Sequence, residues 1–302
     1  MKLRNIIFSI VTLTIAASCD ETKVEAQKKE LPTLPLAILC AEQADFRIKL
    51  VTPSEPDKSK SVLWSYPAMN QEQLTYRPTD AKRVKLNEEV FILAAYHGRV
   101  RLIRYSDKKL IKDYSSYGSC HSAELLPDGQ IVSVSSNHGK LRLHKSSDTF
   151  VDYELPYAHG ATWDKKRQCL WALGDLLYQF NYKEGNLTLN KKFKLPLSPT
   201  GHDLFPLRKE AKLLVTNNEG LFLFDIEKQE FKTLSLLKNI KSASQHSDES
   251  IWISESKRIE GASDWQSDSI IRLIKDDDET RHTIDGARFY KARWWQEVDF
   301  SY

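Results

Sequence analysis

From Leu36 onward the chain is a succession of short apolar or alternating runs, and the runs recur in fours. The clearest set reads SAELLPDG, QIVSVSSN, KLRLHKS and FVDYELP, with Asp128-Gly129 and His138-Gly139 at two of its turns. Alternation with a period of two residues, bounded by such turns, marks antiparallel strands. A four-strand set that returns after roughly 40 residues is a blade of a circular array, because one small sheet cannot bury both of its faces alone.

The sets HGATWDKKR, CLWALGD, LLYQFNY, LTLNKKFKL and then HDLFPLRKE, KLLVTNN, GLFLFDI, EFKTLSL repeat the pattern. A further set begins KSASQHSDE and carries the insert KRIEGASDWQSD between its second and third strands; another, AKRVKLNEE to KLIKDYS, lies upstream. Five complete units therefore fill about Asp80 to Asp285. Three strands are left over before them (LAILCAEQ, RIKLVTP, SVLWSYP) and one after them, RFYKARWWQ. Joined, they make a sixth unit that ties the two ends of the array together by main-chain hydrogen bonds and leaves no open edge. The expected fold is an all-β, six-bladed β-propeller of four-stranded blades over 36–302. A seven-bladed ring of the WD40 type would need units ending in Trp-Asp, which these do not.

The first 18 residues read as a signal peptide: Lys2 and Arg4, an apolar run from Ile6 to Ala17, then small residues. Cys19 directly after Ala16-Ala17-Ser18 is the expected lipidation site, and 19–35 reads as a flexible polar tether. The expected location is the cell envelope, as an outer-membrane lipoprotein held to the membrane only by its anchor. Of the +3 formal charge, Lys2 and Arg4 leave with the signal peptide, so the remainder carries +1 and no nucleic-acid-binding signature. A monomer is expected. Cys40, Cys120 and Cys169 lie in different segments without CxxC spacing and are expected to be buried single thiols.

In a propeller the first strand of every blade lines the central channel. Alignment of the units by residue type places Lys82, His121, His159, His202, Lys241 and Lys291 at one position, as three histidines facing three lysines around a mouth. Tyr290, Arg293 and Trp294-Trp295 accompany Lys291, and Glu42, His97, Asn137, Asp175, Asn217 and Glu255 end the second strands toward the same face. Two chemistries suit such a ring. His121, His159 and His202 could hold a divalent metal, or one of them could act as catalytic base while Lys82, Lys241, Lys291, Arg293 and Tyr290 bind an anionic substrate.

The lipobox-like start, AILCAEQADFRIKL with VLWSY, CHSAELLPDGQIV, HGATWD, GHDLFP and ARFYKARWW together resemble a functionally uncharacterised family of Bacteroidetes propeller lipoproteins over nearly the whole mature chain. The resemblance implies association with polysaccharide utilisation, and it implies that Asp20 and Glu21 serve as an export signal. More remotely, the histidine-lined mouth is similar to that of propeller polysaccharide lyases, with which it shares residue types rather than a continuous motif. The expected function is binding of anionic or uronate-containing glycan fragments at the mouth, with processing as a lyase or hydrolase left open. A non-catalytic glycan-binding or protein-interaction scaffold is the alternative. A lactonase-like, metal-dependent hydrolase comes last, because calcium prefers carboxylates and amides to His and Lys.

Overall fold

The computed structural model describes residues 37–52, 61–256, 259–273 and 281–302. The expected signal peptide, Cys19 and tether lie outside the described residues. Twenty-four strands form six four-stranded antiparallel sheets arranged as a six-bladed propeller, with no helix among the described residues long and apolar enough to cross a membrane.

Blade 1 begins with β1 (Ile38–Glu42), β2 (Arg47–Val51) and β3 (Val62–Tyr66). Blade 2 is β4 (Pro78–Leu86), β5 (Glu89–Tyr96), β6 (Arg99–Arg104) and β7 (Leu110–Ser115). Blade 3 is β8 (Cys120–Leu125), β9 (Ile131–Ser135), β10 (Lys140–His144) and β11 (Phe150–Glu154). Blade 4 is β12 (Gly160–Asp164), β13 (Cys169–Leu173), β14 (Leu176–Lys183) and β15 (Asn186–Lys194). Blade 5 is β16 (Gly201–Pro206), β17 (Lys212–Asn217), β18 (Gly220–Asp225) and β19 (Glu230–Ser235). Blade 6 is β20 (Ile240–Gln245), β21 (Ile251–Glu255), β22 (Ser269–Leu273) and β23 (Arg281–Thr283). The last strand, β24 (Phe289–Trp294), pairs with β1 as the inner strand of blade 1, so the sheet order is β24-β1-β2-β3 and the ring closes as the leftover strands predict.

The first two strands of each blade are largely buried, and successive side chains face opposite neighbours. On β13, Leu170 and Ala172 pack with Val132, Val134 and Trp163 toward blade 3, while Cys169, Trp171 and Leu173 pack with Leu213, Val215 and Phe224 toward blade 5. The core is thus a set of apolar wedges between blades. Outer strands carry the polar residues: along β15 only Leu187 is fully buried, and its lysines blunt the exposed edge. Cys40, Cys120 and Cys169 are free and buried, and burial holds the Cys120 thiol up at about 11, so it packs rather than reacts.

Trp294 belongs to the wedge between blades 6 and 1, against Trp252 and His246. Trp295 lies past the far end of β24, its ring tilted against Tyr105 at a centroid distance of 4.7 Å with Arg83 over it. Neither tryptophan therefore joins the mouth, contrary to the sequence expectation.

Residues 295–302 follow no strand, yet they reach all six blades at the far end of the channel. Trp295 N donates to Ala37 O, Arg83 pairs with Glu297, Gln296 donates to Gln245 O, and Phe300 N donates to Arg208 O. Ser301 Oγ donates to Trp163 O at 2.7 Å and Tyr302 Oη to Leu125 O at 3.2 Å. Val298 and Phe300 enter the wedge between blades 4 and 5. The segment thus ties the six blades together at that end of the channel.

Candidate functional site

Each inner strand enters the channel through a one-residue irregularity. On β8, Cys120 pairs with Ser135 and Ser122 with Val134, which leaves His121 unpaired and bulged. The same step occurs around His202 (Gly201/Asp203), Lys241 (Ile240/Ser242) and Thr79 (Pro78/Asp80). On blade 4, His159 N and the paired Gly160 both meet Leu173. On β24 two residues, Tyr290 and Lys291, stand opposite the single Ala41. Bulges re-aim the side chain they carry. Ser119, Tyr157 and Asn239, each two residues before a mouth residue, have positive φ (51°, 56° and 62°) and bend the chain into that geometry.

Register therefore corrects the ring. The bulged position holds Thr79, His121, His159, His202, Lys241 and Tyr290. Lys291 belongs one residue further along its strand, level with Asp80, Ser122, Gly160, Asp203 and Ser242. Lys82 belongs two residues further still, level with Glu124, Thr162, Phe205, Ser244 and Arg293. Aligning by residue type overlooked the extra residue at each bulge, and it took a deeper lysine for a mouth lysine on two blades.

The two deeper levels form a closed ionic network. Lys291 Nζ lies 2.9 Å from Asp203 Oδ1, and Arg293 bridges Asp203 (2.6 Å) and Asp80. Lys82 Nζ is 3.2 Å from Glu124 Oε2 and donates to Ala161 O; Lys291 Nζ also donates to His159 O, and Ser122 Oγ to Asp80 Oδ2 at 2.6 Å. Three cations face three carboxylates, none more than 4% exposed. Burial opposes charge on Asp80, but Arg293, Lys291 and Lys82 overcome it and hold its carboxyl down at about 2. Lys82, Lys291 and Arg293, expected to bind substrate, are committed to this network.

The mouth above it is different. Ring centroids run from His97 to His121 (6.4 Å), His121 to His159 (4.4 Å) and His159 to His202 (5.3 Å). Tyr290 stands 5.4 Å from His121, and Tyr157 stands 4.4 Å from His159. The three expected histidines thus come together as a row of packed rings. Among the described residues no three His, Cys, Asp or Glu side chains are grouped to hold a metal ion. His159 Nδ1–H donates to Tyr157 O at 2.8 Å, which fixes its tautomer and leaves the Nε2 lone pair available. His202 Nε2–H donates to the Asn218 carboxamide oxygen. The Nδ1 atoms of His121 and His202 are buried with no protein partner.

Desolvation, reinforced by neighbouring cations and imidazoles, pushes His121 and His159 well below the ordinary histidine value and His202 down to about 4. Burial pushes the Tyr290 and Tyr157 phenols up. At neutral pH every ring is uncharged. Lys241 is a cation of this level, as Arg77 is beside His97: burial lowers Lys241 to about 8 against an opposing pull from Asp264, Lys291 adding a lesser push in the same direction as burial, and its Nζ lies 3.5 Å from His202 Nε2. It forms no ion pair among the described residues.

Sequence reasoning missed Tyr157, Asn218 and Asp264, and it named Tyr290 as a substrate-binding residue without placing it at the ring position of the histidines. The available signal was position: Tyr157 and Asn218 each stand one turn from a mouth histidine. His97 joins the mouth as its place at the end of β5 suggests. Asn217, by contrast, holds its own turn by accepting from Glu219 N and Gly220 N and donates to Pro196 O and Ser198 O of the loop before β16, and Glu42 accepts from the main chain of Ala44 and Arg288. Cavities of about 430 and 470 Å³ open elsewhere, along blades 1 and 6 and along blades 3 and 4, away from the imidazole row.

A protein of unknown function from Bacteroides caccae matches with a TM-score of 0.59 and 12% identity, over 87% of this chain and all of that one. A chain of the nidogen/laminin complex matches with a TM-score of 0.60 and 12% identity, over 86% of this chain and 98% of that one. At that identity the likeness is one of fold. No curated protein matches the chain. Residues 1–302 match DUF6528, a family of unknown function.

Proposed function

The chain belongs to the DUF6528 family, which brings no assigned activity, and from the mouth alone we propose that it binds an anionic, uronate-containing glycan fragment at the mouth of the channel. Lys241 carries the reading: it is an ammonium with no ion pair among the described residues, set in a row of neutral rings above a channel whose other charges cancel. One carboxylate would meet that charge. The imidazole and phenol faces suit the apolar face of a sugar ring, and His159 Nε2 accepts from a hydroxyl. The ligand stops at this level, because the network occupies the channel below. In the same reading Cys19 is lipidated and holds the propeller at the envelope.

Titration calorimetry with trigalacturonate against neutral cellotriose tests the site. Binding of the acidic sugar alone is expected, weakened at least ~10-fold in Lys241→Gln, the order of one charge-assisted hydrogen bond. It should fade as pH rises through about 8, where the ammonium is lost. Equal affinity for both sugars, or an unchanged Lys241→Gln, would sink the reading. Ultraviolet absorbance of an unsaturated product in the same mixtures would extend it to a lyase. Release of the protein from membranes by Cys19→Ala checks the anchor.

A further inference from the structure

We propose that Lys241 is also a covalent site: its amine captures an aldehyde as a reversible imine, the aldehyde being, if the glycan reading holds, the open-chain form of a reducing end. The proposal rests on that reading only for the identity of the carbonyl compound.

The three inner-channel lysines differ in what they face. Lys82 has Glu124 and Ala161 O; Lys291 has Asp203 and His159 O. Lys241, raised onto the bulge of β20 by the bend at Asn239, faces His202 Nε2 at 3.5 Å. That nitrogen's hydrogen already goes to Asn218, so it offers the ammonium no lone pair. Beneath Lys241 is the Lys291 ammonium. The acid acting on it, Asp264, is exposed on the insert and makes no ion pair with it among the described residues. A lysine held largely out of water, near another cation and with its nearest acid not in ion-pair contact, releases its proton more readily than an exposed lysine and becomes a nucleophile. Lys241 and His121 keep partial exposure, which is the side from which a small carbonyl compound would reach the amine.

The chemistry balances without a further reagent. The ammonium gives a proton to water, and the nitrogen lone pair attacks the carbonyl carbon while the carbonyl π pair moves to oxygen, which takes a proton. The resulting carbinolamine expels that oxygen as water, the nitrogen loses its second hydrogen, and the imine remains. One amine and one aldehyde give one imine and one water.

The test incubates the full protein at neutral pH with glycolaldehyde and cyanoborohydride, which reduces the imine to a stable amine, and maps the adduct by peptide mass. Exposed Lys238, ion-paired with Glu219, is the internal reference. Lys241 is expected to be modified at least ~10-fold faster than Lys238, as its larger neutral fraction requires. Modification no faster than Lys238 overturns the proposal. Lys241→Arg forms no imine, so it should lose the fast adduct while Lys238 is modified as before. If trigalacturonate protects Lys241 from glycolaldehyde, both assignments hold. Fast modification without protection supports the amine and defeats the glycan reading alone.

Discussion

The same six inner strands build two unlike polar levels. In the channel, three cations and three carboxylates pair with one another with almost no exposure, although Arg293 Nε is left without a hydrogen-bond partner. At the mouth, neutral rings and one lysine leave Nδ1 atoms of His121 and His202 without protein partners and Lys241 without a counter-charge among the described residues. Charged residues in a channel are therefore not evidence of a binding site in themselves. Buried charges are tolerated when paired, so the informative residue is the one the fold has not paired.

If that division is right, breaking the deep level should cost stability and breaking the mouth should cost binding. The largest effect is expected from Asp203→Ala, which removes the carboxylate shared by Lys291 and Arg293 and leaves two buried cations facing each other. Orphaning a buried charge costs about 3–5 kcal/mol, and denaturant midpoints should show a loss of that size. A loss below about 1 kcal/mol would mean that water reaches the network and the levels are not distinct.

The far-end cap comes next. Phe300 is 7% exposed within the wedge between blades 4 and 5, in a segment that hydrogen-bonds to every blade. Phe300→Ala should cost about 3 kcal/mol, at the lower end for a buried phenylalanine. Equilibrium denaturation should show it without any change in trigalacturonate affinity at the mouth. A parallel loss of affinity would show that cap and mouth communicate.

Why the sequence revealed the ring of blades and not this division is a matter of range. Strand alternation and turns such as Asp128-Gly129 are local, and counting the strands left over at the two ends is enough to predict that β24 closes blade 1. The bulge is also local but leaves no mark in residue type: His121 and Tyr290 are equivalent although nothing in HSAELL and YKARWW says so. Pairing is not local at all. Asp80 and Arg293 are 213 residues apart and meet only because the ring closes, so three of the four expected cationic ligands could not be recognised as already partnered. The cap was invisible for the same reason, since VDFSY has no strand pattern and acquires its contacts from three separate blades.

Acid separates the levels in order. The imidazoles of His121, His159 and His202 are held below the ordinary value in the folded protein, so the unfolded chain takes up protons first. The stability they represent is complete above about pH 6.5 and falls as pH drops toward 4, the value for His202. Asp80 is lowered to about 2, so its contribution is present above about 4 and is lost only as pH falls through 2. Thermal melts should show a first decline between about pH 6.5 and 4, on the order of 3 kcal/mol from His202, and a second below pH 4. His202→Gln should flatten the first and leave the second. A single decline below pH 4 would contradict the neutral mouth.

The smallest stability effect, and the sharpest contrast, belongs to Lys241→Met. The folded state lowers this lysine to about 8, so burying the ammonium is unfavourable and the wild-type protein should gain stability as pH rises from about 8 toward the ordinary lysine value. Methionine keeps the apolar stem and removes the charge. It should therefore change stability by less than about 1 kcal/mol at pH 7, in the stabilising direction, and abolish the alkaline rise while removing acidic-sugar binding. Lys291→Met, one residue level deeper, should do the reverse by leaving Asp203 short of a cation: a large loss of stability with the mouth groups intact. Two lysines neighbouring in space, with opposite consequences on the two measurements, would establish that the fold uses one as architecture and leaves the other for a ligand. Similar destabilisation by both would place Lys241 in the network and remove the basis for a site at the mouth.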